Sequence, residues 1–450
     1  MNTLPLLPDI PSAQVIAYRN SAPVRRDEFL REIMELAARL PSTGHALILC
    51  KDRYWFSVAL CAAISRNILS VLPSSTAPEE ITSLQAEVPD LVCLGDQTSS
   101  PFPQMPYVQV SSDSPILFKS GATSAMPRIP FDQRIVCVYT SGSTGKPKPH
   151  IKTFGRMQQC AIAEAERMWA VAGGACAVLG TVPFQHMYGL ESSVLLPLFG
   201  GGQLSTRQPF FPADIISALA ELPEPRFLVT TPFHLRKMID ANLQFPRIAA
   251  ILSATAPLSP ELAEEVETRC GTSLIEIYGS TETGQLATRR PTVQSEWEVY
   301  ADIELTQNQG AVTVRGGHLE GAQVLNDVVE LLSPSRFRLI GRNSDMINIA
   351  GKRSSLAFLN HLLTNIPGVR DGVFCMPQDD EEHATPRPAA FVVAPELNPA
   401  DILAAMRLQV APVFLPRPVI FIDHLQRDAN GKIPAAVVKA LIAEHITFKA

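Results

Sequence analysis

Short apolar runs alternate with longer amphipathic stretches along most of the chain, most plainly beyond Arg134. Arg134–Tyr139 (RIVCVY) has the continuous β-branched and aromatic character of a buried strand, and Thr153–Ala172 repeats apolar residues at helical spacing. Ala175–Val182, Arg226–Thr230, Ala249–Ser253 and Ser273–Tyr278 read as further strands. Between them Phe211–Glu221, Phe233–Ala241 and Ser259–Cys270 read as helices. Strands separated by helices at this spacing predict βαβ units and a mostly parallel sheet covered on both faces. The residues before Arg134 show the same alternation more weakly.

The pattern changes near Gly341-Arg342-Asn343. A helix is predicted over Ser355–Thr364, strands over Val369–Met376 and Ala389–Ala394, a helix over Pro399–Ala411, a strand over Val419–Asp423 and a last helix over Pro434–His445. Such a tail has the size of a small separate α+β domain. Two units are therefore expected, 1–342 and 343–450. Pro386–Pro388 is expected in a loop between strands.

Composition narrows the function classes. Of 450 residues, 46% are hydrophobic and 18% charged, the balance of a folded globular chain. A formal net charge of −6 argues against a nucleic-acid partner. No run of about eighteen apolar residues predicts a membrane span. Met1–Ser12 lacks the basic and apolar blocks of a secretory signal. The eight cysteines are scattered without a C-x-x-C pair, which predicts reduced thiols in a cytoplasmic protein and no structural zinc.

Candidate chemistry begins at Thr140-Ser141-Gly142-Ser143-Thr144-Gly145-Lys146-Pro147-Lys148. This segment follows a predicted strand, so it belongs at the carboxyl edge of a sheet, where open α/β folds bind ligands. Glycines let the backbone curl around an anion, hydroxyls and N–H groups donate to phosphate oxygens, and lysines add charge. The Walker A spacing is not met, because Pro147 stands where the helix-opening hydroxyl residue belongs. A Ser/Gly surface turn is the plain alternative for this segment alone.

The segment resembles the phosphate loop of the superfamily of acyl- and aryl-CoA synthetases, peptide-synthetase adenylation domains and luciferases. Further motifs of that superfamily follow in order. Pro183-Phe184-Gln185-His186-Met187-Tyr188-Gly189 resembles the motif whose histidine lines the acyl pocket. Ser253-Ala254-Thr255-Ala256-Pro257-Leu258 resembles the loop that holds adenine. Tyr278-Gly279-Ser280-Thr281-Glu282 resembles the signature in which the tyrosine packs on adenine, the threonine meets the α-phosphate and the glutamate binds magnesium. Asp327, fourteen residues before Gly341, matches the ribose-binding aspartate, and Arg342 the arginine at the domain boundary. Arg427-Asp428-Ala429-Asn430-Gly431-Lys432 matches the loop carrying the adenylation lysine. Singly, each has an ordinary structural reading: His186 as a satisfied histidine, Tyr278 as core packing, Glu282 and Lys432 as solvated charges. Jointly and in order they do not.

The resemblance implies a large N-terminal region of stacked α/β subdomains with parallel-rich sheets and a small mobile α+β lid. It implies ATP and Mg2+ as cofactors, a carboxylic acid as substrate, and the thiol of CoA or of a holo acyl carrier protein as acceptor. Lys432, Thr281, Glu282 and His186 would act on the reacting groups, with Glu282 as the metal ligand. The hinge would fall at Ser344, and Gly351 would leave room for the pantetheine arm. Lys148-Pro149-His150, where most relatives place glycine after the lysine, and Gln185 and Glu191 flanking His186, resemble a compact subgroup from aryl-polyene and xanthomonadin pigment clusters. That subgroup would take a hydroxybenzoate- or hydroxycinnamate-like acid. The competing readings are an adenylating enzyme with a non-thiol acceptor and a non-catalytic adenylate-binding regulatory protein.

Overall fold

The computed structural model describes residues 2–73, 75–111, 125–140, 148–256, 258–308, 311–342, 346–349, 352–377, 387–427 and 433–446. The predicted βαβ alternation is present. Helices Phe154–Ala172, Pro212–Ala220, Pro232–Asp240 and Pro260–Cys270 separate strands Arg134–Thr140, Ala177–Gly180, Arg226–Thr230, Ala250–Ser253 and Ser273–Ser280. Local chemistry sets their ends. Ser259 accepts a hydrogen bond from the Leu262 amide and Thr231 one from the His234 amide, satisfying helix-start donors. Gly173 and Gly271 close helices in the left-handed conformation at φ +81° and +63°.

Two large sheets form. The first has six strands in the order Lys148–Thr153, Arg134–Thr140, Ile68–Leu72, Gly44–Ile48, Leu91–Gly95, Tyr107–Gln109. All of its pairs are parallel except the outermost, where Lys148–Thr153 runs antiparallel to Arg134–Thr140. The weak alternation before Arg134 thus builds a sheet of its own. The second sheet has eleven strands, and its centre, from Ser273–Ser280 across to Val15–Arg19, is parallel. Ala250–Ser253 and Ala177–Gly180 are buried throughout, as strands covered on both faces must be.

Residues 284–342 carry no helical pattern, and the structure builds them as antiparallel strands. Gly284–Arg289, Trp297–Val299, Arg336–Arg342 and Asp327–Ser333 extend the second sheet, while Ile303–Asn308, Ala311–Gly316 and Gln323–Val324 make a separate three-stranded sheet.

The C-terminal part has its own core. Asp371–Cys375, Ala389–Val393 and Val419–Phe421 form a three-stranded sheet against helices Leu356–Thr364 and Pro399–Arg407, with Leu359, Leu363, Phe374, Ile402 and Met406 buried between them. The helix from Pro399 ends at Arg407, short of the expected Ala411. Ala411 is extended, as the ring of Pro412 requires of the residue before it. The molecule is therefore a large parallel-rich α/β region followed by a smaller α+β one.

The two large sheets are fastened at the carboxyl ends of their strands. Arg53, at the start of helix Arg53–Ser65, is fully buried and donates to the carbonyls of Ser205 and Arg207 at 2.8 and 2.9 Å and of Gly180 at 2.8 Å. Gln185 Nε2 donates to the Cys50 carbonyl at 3.1 Å. The anion-loop edge of the first sheet and the motif-bearing edge of the second are joined there.

Candidate active site

Strand Ser273–Ser280 leaves the centre of the second sheet and returns antiparallel as Gly284–Arg289, so Thr281-Glu282-Thr283 form the tip of a hairpin. Ser280 and Thr283 hold the tip by mutual bonds, Ser280 N to Thr283 Oγ1 at 3.1 Å and Thr283 N to Ser280 Oγ at 3.3 Å. Gly279 sits at a bulge, where a Cβ would lie 2.3 Å from the Gly284 carbonyl oxygen. Only glycine permits that approach.

At the base of the hairpin the Tyr278 ring rests against Phe337 and Trp297, with centroids 5.3 and 5.6 Å away. Its hydroxyl donates to Asp327 Oδ2 at 2.5 Å. Asp327 is the ladder partner of Arg342 across two antiparallel strands. Three motif residues more than sixty positions apart in total thus share one corner: an aromatic face, a carboxylate beside it, and the backbone of Arg342 opposite.

The adenine-loop candidates Ala254, Thr255 and Ala256 continue directly from strand Ala250–Ser253. Thr255 holds φ +81°, the left-handed region that β-branched residues avoid. Glu276 ties this loop to the Tyr278 strand. Its buried carboxylate accepts from the Leu258 amide at 3.1 Å and from Arg289 Nε at 2.7 Å, and Arg289 in turn stacks 4.6 Å from the Trp297 ring. Burial pushes the Glu276 carboxyl up, and Arg289 acts against that rise.

In the histidine motif, His186 precedes the short helix Met187–Leu190. The Tyr188 hydroxyl lies 3.0 Å from the Thr230 carbonyl and 3.1 Å from that of Leu252, so the motif is pinned to the ends of two neighbouring strands. That places it two residues from Ala254.

The first sheet reaches the hairpin through Lys148–Thr153. Thr140 and Lys148 are partners in an antiparallel ladder whose second strand carries Lys148, His150 and Lys152 at alternate positions. Residues two apart share a face. Exposure falls along that row, from exposed Lys148 to half-buried His150 to Lys152 at 4%. His150 Nε2 stands 4.0 Å from Glu282 Oε1, and Lys152 Nζ donates to the Glu282 carbonyl at 2.9 Å.

Burial raises the Glu282 carboxyl, but its own amide, the Ser280 hydroxyl, His150 and Lys152 outweigh it and hold the group below the ordinary carboxylate range. Burial lowers the His150 imidazole, so it faces that carboxylate neutral at pH 7. An ionised carboxylate with 36% side-chain exposure is a hard oxygen donor suited to magnesium. Among the described residues no cluster of three or more His, Cys, Asp and Glu side chains could enclose a metal. An ion at Glu282 would therefore draw its remaining ligands from phosphate and water.

Tyr278, Gly279, Ser280, Thr281, Glu282, Asp327 and the backbones of Thr140 and Arg342 thus occupy adjoining strand ends, with Ala254–Ala256, His186 and Lys148 on the same edges. Ser141, Gly142, Ser143, Thr144, Gly145, Ser344, Gly351 and Lys432 lie outside the described residues. His150 and Glu191 stand out in sequence only as marks of a subgroup, and Lys152 and Glu276 belong to no motif. The period-two row of Lys148, His150 and Lys152 is the readable signal for His150 and Lys152.

Residues 35–310 match the model of a family described as AMP-binding enzyme. The indoleacetate–CoA ligase of Aromatoleum aromaticum is 26% identical over 395 residues, spanning 78% of this chain and 75% of that enzyme. The 4-coumarate–CoA ligase of Halorhodospira halophila is 30% identical over 271 residues, 58% of this chain and 63% of that one, so less than two thirds of its length is spanned. The o-succinylbenzoate CoA synthetase of Bacillus subtilis, solved with its acyl-adenylate intermediate, superposes with a TM-score of 0.78 at 18% identity over 93% of this chain and 94% of that chain. The ATP-bound MatB of Rhodopseudomonas palustris gives 0.76 at 16% identity over 97% of each chain. With the family model covering more than half of its length, the chain belongs to the AMP-binding enzyme family of adenylate-forming acid ligases.

Proposed function

We propose that this protein is an ATP-dependent acid–thiol ligase that converts an aromatic carboxylic acid, of the hydroxybenzoate or hydroxycinnamate type, to its acyl-adenylate and passes the acyl group to a phosphopantetheine thiol. The observation that carries the reading is the convergence of two sheet edges on Glu282. One brings the anion-loop hairpin through His150 and Lys152, and the other brings Tyr278 bonded to Asp327. Together they offer an aromatic ring, a carboxylate bonded to its hydroxyl and a metal-competent carboxylate at the tip, the groups that a metal-bound nucleoside triphosphate calls for.

A carboxylate attacking the α-phosphorus approaches a polyanion, so catalysis is mostly positioning and electrostatic stabilisation. Tyr278 and Ala254–Ala256 hold the adenine, Asp327 the ribose hydroxyls, and Thr281 the α-phosphate. The Thr140–Lys148 loop takes the departing phosphates, and Lys432 reaches the carboxylate oxygen and phosphate when the C-terminal domain, 343–450, closes. Magnesium at Glu282 would neutralise phosphate charge. The acid lies along His186 and Tyr188, the second held by its hydroxyl contacts with two strand ends. For thiol transfer the small domain turns about Ser344, and Gly351 admits the pantetheine arm.

The relatives support CoA as acceptor, since those matched include enzymes named as CoA ligases of indoleacetate, 4-coumarate, 2-succinylbenzoate and oxalate. Lys148-Pro149-His150 and Gln185 and Glu191 around His186 support instead an acyl carrier protein, by likeness to the aryl-polyene subgroup. ATP–pyrophosphate exchange with a panel of aromatic and aliphatic acids, followed by CoA or a holo carrier protein, tests the reading. Exchange with aromatic acids and then a thioester are expected. Exchange without a thioester on either acceptor would mean a non-thiol acceptor, and no exchange with any acid would mean a non-catalytic adenylate-binding protein.

A further inference from the structure

A lysine rarely lies inside a protein unless anions compensate it. Lys152 does so at 4% exposure, on the strand that leaves the anion loop. Its ammonium donates to the backbone carbonyl of Glu282. Burial works against its ionised form, and the carboxylates that favour it are, in decreasing effect, Glu191, Glu320 and Glu282 itself.

Glu191, in the π-helical turn Glu191–Leu195, is buried at 3% exposure. Its Oε1 approaches the hairpin so closely that a Cβ on Gly284 would lie 2.6 Å away, and Gly284 itself holds φ +69°. Glu320 braces the far end of the lysine's strand by accepting from the Thr153 amide at 2.6 Å and from its hydroxyl at 2.9 Å. The tip carrying Glu282 therefore rests on a buried cation, and the buried Glu191 carboxylate is wedged against Gly284 of the same hairpin.

We propose that Lys152 is the positioning residue of the Glu282 tip: by its bond to the Glu282 carbonyl it fixes that peptide so that the carboxylate is presented to the divalent metal of the bound nucleotide. The proposal rests on the reading of Glu282 as the metal carboxylate. His150, two residues back on the same face and 4.0 Å from Glu282 Oε1, bounds the carboxylate from the other side. The peptide is thus gripped by one residue of the row while the side chain it carries is flanked by another.

The effect on metal affinity has opposite signs under the two explanations for a buried lysine. If Lys152 contributed charge alone, removing it would relieve repulsion and tighten Mg2+ binding. If it positions Glu282, removing it loosens the carboxylate and weakens binding, by the roughly tenfold or more typical of groups that orient a metal ligand. Burial raises the Glu191 carboxyl to about 7, so above that pH removing it together with Lys152 leaves the net charge nearly unchanged and the positioning effect dominates. It also avoids leaving a lone buried carboxylate, which would destabilise the fold.

The experiment is calorimetric ATP binding to the full-length protein, with Mg2+ and with chelator, for the wild type, Lys152→Met/Glu191→Gln and Glu282→Gln. The double variant is expected to melt close to the wild type and to bind metal-free ATP equally well, while its Mg2+-dependent gain in ATP affinity falls about tenfold. In pyrophosphate exchange its KM for Mg·ATP rises and its KM for the acid does not. An undiminished or larger Mg2+-dependent gain overturns the proposal. Should the methionine variant not fold, Lys152→Gln/Glu191→Gln is judged by the same criterion. If Glu282→Gln itself leaves the Mg2+-dependent gain intact, the metal reading of Glu282 fails, separately from any role of Lys152.

Discussion

At Thr255 the chain holds φ +81° with a branched side chain, in a loop that Glu276 fastens through the Leu258 amide. Strain of this kind costs about 1–3 kcal/mol and persists where surrounding contacts enforce it, commonly at ligand clamps. Thr255→Gly should therefore raise stability by about 1 kcal/mol while weakening nucleotide binding, read from thermal melts and an ATP titration. A destabilised variant would show that no strain is stored there. Glu164 makes a second residue-scale prediction. It is fully buried and neither carboxylate oxygen has a hydrogen-bond partner of normal geometry, although Ser192 and Gln285 lie close. Burial pushes its pKa up to about 8. The folded state then holds a proton that the unfolded state releases near pH 4.5, so stability falls as pH rises between those values. Between pH 6 and 8 this residue alone should cost roughly 2 kcal/mol, and Glu164→Gln should flatten the pH dependence of the melting temperature over that range. An unchanged slope would place the titrating group elsewhere. Tyr278, Glu282 and Asp327 were readable because they stand in ordered motifs. Glu164 and Lys152 were not, since an isolated Glu on a helix or Lys on a strand is ordinarily solvated and nothing local marks burial.

The element that organises the site is the hairpin from Ser273 to Arg289, one strand parallel to the sheet centre and the other turning back. Its bulge depends on Gly279, since a methyl group there would meet the Gly284 carbonyl oxygen, a backbone atom that cannot swing away. Gly279→Ala should destabilise the protein by roughly 1–3 kcal/mol. It should also lower the adenylation rate roughly 10- to 100-fold by displacing Thr281 and Glu282, a loss measurable by pyrophosphate exchange on protein shown to be folded. Full activity in this variant would mean that the bulge does not set the tip. The parallel strands and their helices were legible at this scale, because a continuous apolar run flanked by an amphipathic helix has one reading. The strands of 284–342 were not. Ile303–Asn308 alternates buried and exposed positions only at its start and then stays exposed, and Trp297–Val299 has three residues, too few for a period to show.

For the whole molecule, the separate core around Leu359, Phe374, Ile402 and Met406 supports a second unit that folds about its own sheet. The two-step reading assigns adenylation to the Lys432 loop of that unit. Lys432→Ala is expected to abolish pyrophosphate exchange yet leave thioester formation from a supplied acyl-adenylate largely intact, and survival of exchange would remove the lysine from the reaction. That a smaller α+β part follows the large one was legible from the change of pattern late in the chain. How the sheets of the first unit meet was not, because the fastening is made by Arg53, and nothing local marks an arginine as buried. A guanidinium sealed from water, with burial drawing its pKa down to about 10, is content only while Gly180, Ser205 and Arg207 all keep their carbonyls turned toward it. Prising the layers apart even slightly would strand a charge in a dry seam, so they answer to force as one block. A catalyst that must refit itself between two chemical steps cannot do so by opening this seam, and has to find its hinge elsewhere along the chain.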